Sequence, residues 1–301
     1  MPDAPNLMAS ESRDVPGDAA GRPTAKRRSW LWRTIRALLV VYLLIVLAAM
    51  FLEDSLIYFP MRYPAGDWDQ KSLPFEDAWF RSADGTRLHG WYVPQRHPRA
   101  VVLFCHGNAG NLSHRLPILE VLHERAGVST LIFDYRGYGR SEGKPSEAGI
   151  LADARAARRW LADREKIAET EIVVLGESLG GAVAVDLAAR DGARALVLEN
   201  TFNNLTAVAA YHCPWLPVRW AMRTRLDSAA KIADYHGPLL QVHGDADTIV
   251  PLCFAQRLHA AANPPKKLII YPGHNHNDPM PPEYYDDLAA FLDGLPNQPS
   301  K

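Results

Sequence analysis

The chain has 301 residues, 48% of them hydrophobic and 22% charged, a composition that supplies a core for one large α/β domain with an appendage or for two small domains. Its formal net charge of −1 excludes a global field that would recruit nucleic acid or another polyanion. The three cysteines, Cys105, Cys213 and Cys253, lack C-x-x-C spacing, which argues against a zinc site or a disulfide framework.

Residues 1–29 are rich in Pro, Ala, Ser, Asp and Arg without apolar periodicity and predict a disordered tail. The tail ends in Lys26-Arg27-Arg28, and Arg33 and Arg36 continue the positive charge. Ala37 to Leu52 is an uninterrupted apolar run of 16 residues, short of the roughly 20 expected of a membrane span. Trp30, Leu31, Trp32 and Ile35 lengthen its apolar side, and Arg36 can snorkel to the interface. Residues 30–52 therefore predict a transmembrane signal-anchor. Acidic Glu53-Asp54 follows. With the positive flank first, the expectation is a single-pass membrane protein whose N-terminus stays in the cytoplasm and whose C-terminal body lies on the far side. A cleaved signal peptide, with Ala48-Ala49 near the cut, is opposed by the long stretch before the apolar run. A buried amphipathic helix is opposed by the all-round apolar face.

The aromatic, Pro-punctuated stretch from Glu53 to Tyr63 reads as a connector packed on the body. Phe75–Phe80 and Arg87–Val93 alternate, and Asp84-Gly85 between them is a hairpin signal; they predict two antiparallel strands. Continuous apolar runs predict buried strands at Ala100–Cys105 and Ser129–Asp134, with a helix over Arg115–Arg125 between them and another over Ile150–Asp163 after them. Strands follow at Ile172–Leu175, Ala195–Leu198, Pro238–His243 and Lys267–Tyr271, and helices at Gly180–Ala189, Leu252–Ala261 and Glu283–Leu292. Two antiparallel strands followed by strand–helix units predict an α/β fold with a mostly parallel central sheet and helices on both faces. This body spans 53–296, and 297–301 is a short tail. One stretch breaks the alternation. Thr201 to Ala233 carries Phe202, Tyr211, Trp215 and Trp220, is too long for a simple connection, and predicts a small helical lid at about 201–233. A bulky packing insertion without a gating role is the other reading.

Gly176-Glu177-Ser178-Leu179-Gly180 fits G-x-S-x-G, a sharp strand-to-helix turn that exposes a serine hydroxyl. Short of a second signal, it is equally a glycine-rich turn with an incidental serine. A serine nucleophile needs a base, and the base needs an orienting acid. On a sheet of this kind they follow in the order Ser, acid, His, from loops at strand C-termini. Asp245 and Asp247 follow the strand ending near His243, and His274 and His276 follow the strand ending at Tyr271. Leu179, directly after the serine, offers one backbone N–H for an oxyanion hole, and the loop after Cys105 offers the place for a second.

The combination of His106-Gly107-Asn108-Ala109-Gly110-Asn111, Asp134-Tyr135-Arg136-Gly137-Tyr138-Gly139-Arg140-Ser141, the Gly176–Gly181 turn, His243-Gly244-x-x-Asp247 and His276-Asn277-Asp278 resembles the α/β-hydrolase superfamily. Within it, the chain is similar to the Bem46-like group of membrane-anchored serine hydrolases. The motifs run in the right order over about residues 58–290. The resemblance implies Ser178, Asp247 and His276 as catalytic residues and Asn108 and Leu179 as the oxyanion hole. Asp245 remains the other acid and His274 the other base. His106 is expected to brace its turn, Arg136 and Tyr138 to stiffen a loop, and Glu177 to flank the serine. No metal or cofactor is required. The activity implied is cleavage of a carboxylic ester or thioester, on a small acyl substrate that the anchor and aromatic lid suggest is lipid-like. A peptidase or amidase using the same residues, and a non-catalytic binding protein on the same fold, are the other readings. The oligomeric state is left open.

Overall fold

A computed structural model describes residues 25–70 and 72–296. Of the tail expected over 1–29, residues 1–24 lie outside the described residues, as does the tail at 297–301. Two compact units are present, one ending at Leu47 and the other beginning at Ala48. The first carries most of helix α1 (Ala25–Phe51). The helix starts before residue 30, because Lys and Arg are good helix formers and extend the apolar turn that follows. Its stretch Ser29–Phe51 is 23 residues with a mean hydropathy of 2.5 and no buried side chains. At 1.5 Å per residue it is about 35 Å long, enough for a hydrocarbon core of about 30 Å.

In the second unit, α2 (Glu53–Ile57) and β1 (Phe59–Pro60) give the expected connector local structure. The hairpin β2 (Glu76–Arg81) and β3 (Arg87–Val93) follows. Next come β4 (Val101–Cys105), the short β5 (Ala109–Gly110), α3 (Leu116–Val121) and β6 (Ser129–Asp134). The chain continues through α4 (Glu147–Glu165), β7 (Val173–Glu177), α5 (Leu179–Asp191) and β8 (Ala195–Glu199). Three short helices, α6 (Leu205–His212), α7 (Val218–Ala221) and α8 (Ser228–Ile232), fill the expected lid segment. β9 (Leu239–Gly244), α9 (Leu252–Ala261), β10 (Lys266–Tyr271) and α10 (Pro282–Asp293) complete the fold.

Eight strands form one sheet in the order β2-β3-β6-β4-β7-β8-β9-β10. Only the β2–β3 and β3–β6 pairs are antiparallel. Side chains alternate across the strands. Leu103 and Cys105 join the core under α4, α5 and α9. Val102 and Phe104 join the core on the opposite face, with Leu116, Leu119, Tyr284 and Leu288. Strand β4 pairs with β6 on one side and β7 on the other. The chain therefore reverses its direction of winding at β4, and the loops leaving β4 and β7 part to open faces. Such a switch point leaves a crevice at the strand C-termini.

The helix expected over Arg115–Arg125 is interrupted. A 3₁₀ turn (Leu112–Arg115), capped by the Asn111 side chain, precedes α3, and a π-type turn (Leu122–Ala126) follows it. Pro117 in the first turn of α3 has no N–H to continue the ladder from the preceding turn. Helix α4 starts at Glu147, three residues early, because Ser146 accepts the Gly149 N–H at 3.2 Å as its N-cap.

Candidate active site

Strand β7 turns into α5 through Ser178, whose backbone lies at φ 52°, ψ −116°. A non-glycine residue in this region is strained and persists only where its surroundings hold it. Here Ser178 N–H donates to Glu199 O at 2.9 Å, and Thr201 Oγ1 donates to Ser178 O at 2.7 Å. The flanking glycines are required by close approach. A Cβ on Gly176 would lie 2.5 Å from Gly180 O, and one on Gly180 would lie 2.0 Å from Cys105 O and 2.5 Å from His106 O. The start of α5 is thus pressed against the end of β4.

Ser178 Oγ lies 2.9 Å from His276 Nε2, and His276 Nδ1 lies 2.7 Å from Asp247 Oδ2. An ionised carboxylate only accepts, so Nδ1 carries the proton and Nε2 is left to accept from the serine hydroxyl. Asp247 is buried. Burial raises its pKa, but hydrogen bonds from His243, His276 and the Val250 N–H outweigh that and hold it below the ordinary carboxylate range. Its Oδ1 accepts from Ile249 N at 2.9 Å and Val250 N at 2.7 Å. His243 Nε2 sits 3.3 Å from Asp247 Oδ2 and 2.7 Å from Val250 O.

The two competing candidates have other work. Asp245 Oδ1 accepts the Gly273 N–H at 2.6 Å, and His274 contributes its carbonyl to Ala246 N at 3.1 Å. Leu179 occupies the first position of α5, where a backbone N–H has no carbonyl to reach within the helix. Asn108 lies in the loop that leaves β4. Its carboxamide is engaged outward: Nδ2 donates to Ile57 O, and Oδ1 accepts from Phe59 N at 3.4 Å and Tyr138 Oη at 3.0 Å.

His106 braces its turn, with Nδ1 2.7 Å from Gly107 O and Nε2 3.6 Å from Asp134 Oδ1. Burial, then the Arg115 charge, push its pKa down to about 3 and keep it neutral. Arg136 ties its loop to Asp153, Asp84 and Ser82. Glu177 flanks the elbow, accepting from Gly107 N at 3.2 Å and Arg115 Nε at 3.2 Å. Burial raises its pKa, but these partners prevail and lower it.

Sequence reasoning passed over Asn200, Thr201 and Asn275. Asn275 Oδ1 accepts from Thr248 N at 3.0 Å and from His276 N at 2.8 Å, which locks the histidine loop to the acid loop. Asn200 Oδ1 accepts from Gly244 N at 3.1 Å and its Nδ2 donates to His276 O at 3.4 Å. Asn200 and Thr201 directly follow β8, and residues at strand C-termini of a parallel sheet are the place to look; that signal was available. Among the described residues no cluster of three or more His, Cys, Asp or Glu side chains is placed to hold a metal ion.

The α/β hydrolase fold family model matches residues 100–229. Protein bem46 of Schizosaccharomyces pombe is 31% identical over 272 residues, 83% of this chain and 89% of that protein. The alpha/beta hydrolase domain-containing protein WAV2 of Arabidopsis thaliana is 34% identical over 254 residues, 75% of this chain and 82% of that protein. Among solved structures, an esterase of Pyrococcus furiosus superposes with a TM-score of 0.65 at 22% identity, covering 79% of this chain and 98% of that one; this likeness speaks to the fold. The chain belongs to the α/β-hydrolase family, in its Bem46-like group.

Proposed function

We propose that this α/β-hydrolase is a serine hydrolase that cleaves carboxylic ester or thioester bonds through an acyl-enzyme. The observation that carries the reading is the relay from Ser178 Oγ to His276 Nε2 at 2.9 Å and from His276 Nδ1 to Asp247 at 2.7 Å. His276 takes the hydroxyl proton as Ser178 Oγ attacks the acyl carbon. The tetrahedral oxyanion is held by the backbone N–H groups of Leu179 and Asn108. The Asp247 carboxylate stabilises the imidazolium, which then protonates the departing alkoxide or thiolate. Water, deprotonated in turn by His276, attacks the acyl-enzyme, releases the carboxylic acid and restores Ser178.

In this reading α1 anchors the enzyme in a membrane as a single span. Lys26, Arg27, Arg28, Arg33 and Arg36 precede or open the apolar run and acidic Glu53-Asp54 follows it, so the N-terminus stays cytoplasmic and the catalytic domain lies on the far side. The test is fluorophosphonate labelling and a substrate panel on the full chain in detergent. Wild type takes the label and turns over p-nitrophenyl esters or acyl-thioesters, and Ser178→Ala does neither while keeping its melting temperature. Labelling of Ser178→Ala sinks the assignment, and turnover confined to peptides or amides moves the substrate class.

A further inference from the structure

The segment that leaves α1 is built into the active-site surroundings on two sides. Glu53, two residues after α1 ends, is only 4% exposed. Its carboxylate accepts from Arg223 N at 3.0 Å, Thr224 N at 2.6 Å and Arg223 Nε at 3.2 Å, all in the lid between α7 and α8. Burial raises the Glu53 pKa, but these donors outweigh it and hold the group ionised. A few residues on, Ile57 and Phe59 are gripped by the carboxamide of Asn108, and Met61 N–H donates to Gly110 O at 2.9 Å. The exit segment therefore touches the lid at one end and the loop after β4 at the other.

The outer surface here is apolar, aromatic and basic. Phe51 is 87% exposed and Trp220 86%, with Leu52, Leu56 and Phe59 also open. Arg219 and Arg225 are exposed beside α7, whereas Arg223 pairs with Glu53 at 3.2 Å and Lys231 with Asp186 at 2.7 Å. Ala48–Phe51, the last turn of α1, belongs to the same compact unit as the lid. A span ending at Phe51 leaves the hydrocarbon within a residue or two of Glu53, and Glu53 is bonded to Thr224. Trp220 is four residues from Thr224, so its Cα lies within about 14 Å of that clasp even if the chain is extended. Half of the excess of a whole bilayer over its hydrocarbon core is an interfacial zone of about 6 Å per leaflet. Tryptophan side chains are favoured in such a zone on either side of a bilayer, and arginine can snorkel to it.

We propose that the face formed by the exit segment and α7, which carries the open side chains of Phe51 and Trp220, seats on a phospholipid surface. The Glu53 clasp holds the lid at that surface, so acyl substrates pass to Ser178 from the bilayer. The proposal rests on the hydrolase reading only for its last step. Continuity of the chain with the apolar helix and the open side chains of Phe51 and Trp220 select the bilayer as the occupant. Asn108 contributes as a positioning residue, since one side chain both grips the exit segment and sits in the loop assigned to the oxyanion.

The test uses the full chain reconstituted in mixed phosphatidylcholine–phosphatidylglycerol vesicles. The tryptophan emission that distinguishes wild type from Trp220→Phe is expected to be quenched by brominated phosphatidylcholine; emission that stays unquenched overturns the surface. For turnover, a long-chain ester dissolved in the vesicles is compared with p-nitrophenyl butyrate in solution. Trp220→Asp is expected to lower kcat/KM for the vesicle ester about tenfold, the scale of losing one aromatic from the interface, and to leave the soluble ester within about twofold. Glu53→Gln lowers the ratio of vesicle to soluble turnover in the same direction. Equal losses on both esters in both variants mean a merely structural role and overturn the coupling, as does no loss on either. If wild type turns over neither ester, the ester reading fails and the quenching of Trp220 alone decides the surface.

Discussion

The loops that carry Asp247 and His276 and the helical segment between β8 and β9 meet where His212 Nε2 lies 2.8 Å from Ile249 O, but are held by different means. In the first region nearly every polar group has a partner. Asp247 accepts from two backbone amides and the His276 ring, and Asn275 bonds both loops at once. In the second, α7 has four residues and α8 five. Its ties run to scattered parts of the chain: Glu53 and Glu147 carboxylates accept the amides of residues 223–226, His212 Nε2 meets Ile249 O at 2.8 Å, Lys231 Nζ pairs with Asp186 at 2.7 Å, and Thr201 Oγ1 and Asn200 Nδ2 reach Ser178 O and His276 O. A saturated polar network fixes geometry to fractions of an ångström, which proton transfer needs.

The contrast is broken most severely at Asp247. Asp247→Asn is expected to lower kcat about ten-thousandfold, because an amide can present its N–H to Nδ1 and leave His276 in the wrong tautomer. The rate of fluorophosphonate labelling reads this directly. A loss below tenfold would point to another orienting group, with His243 the nearest. Asn275→Ala tests whether the network or the pair alone sets the geometry. It removes one of the bonds between the two loops, beside those of Asp245 to Gly273 and Ala246 to His274, while leaving all three proposed catalytic residues in place. A fall in kcat of about ten- to a hundredfold with KM little changed is expected; a rise in KM alone would assign Asn275 to binding.

The smallest effect lies beneath the elbow. Glu199 is buried at the end of β8 with its carboxyl against the Tyr284 hydroxyl. Burial, reinforced by the Glu177 charge, raises its pKa from an ordinary 4.5 to about 8. Between those values the unfolded chain ionises and the folded chain does not, so this group costs stability progressively as pH rises from about 4.5 to 8. Glu199→Gln cannot ionise. Its melting temperature relative to wild type is expected to rise across that window and to level off above pH 8. A parallel pH dependence in the two proteins would mean that Glu199 is ionised when folded.

Much of the fold was legible because its signals are local and redundant. β3, β6 and α9 have the expected bounds; β6, buried along its whole length, shows why, since a strand covered on both faces leaves a continuous largely apolar run. Two shifts trace to particular side chains: the Ser146 cap drew α4 back to Glu147, and Asn111 with Pro117 broke the helix expected over 115–125 into shorter turns. The proposed catalytic residues were reachable through motif and chain order. Asn275 was not, because its value lies in bonding a loop 27 residues away, and nothing in the neighbouring sequence records that partner.

Glu53 marks the same divide. In sequence it is an acidic residue after an apolar run, a sign of topology and no more. Folded, it is a buried carboxylate on lid amides 170 residues on. By itself the sequence determined the family, the order of strands and helices, the apolar N-terminal helix and the serine at the sharp turn, because each depends on residue types within one segment. The tertiary structure decided which aspartate and which histidine meet the serine, what holds their loops, and that the exit from α1 grips both the lid and Asn108. Those facts depend on distances between segments far apart in the chain, and only the packed sheet sets them.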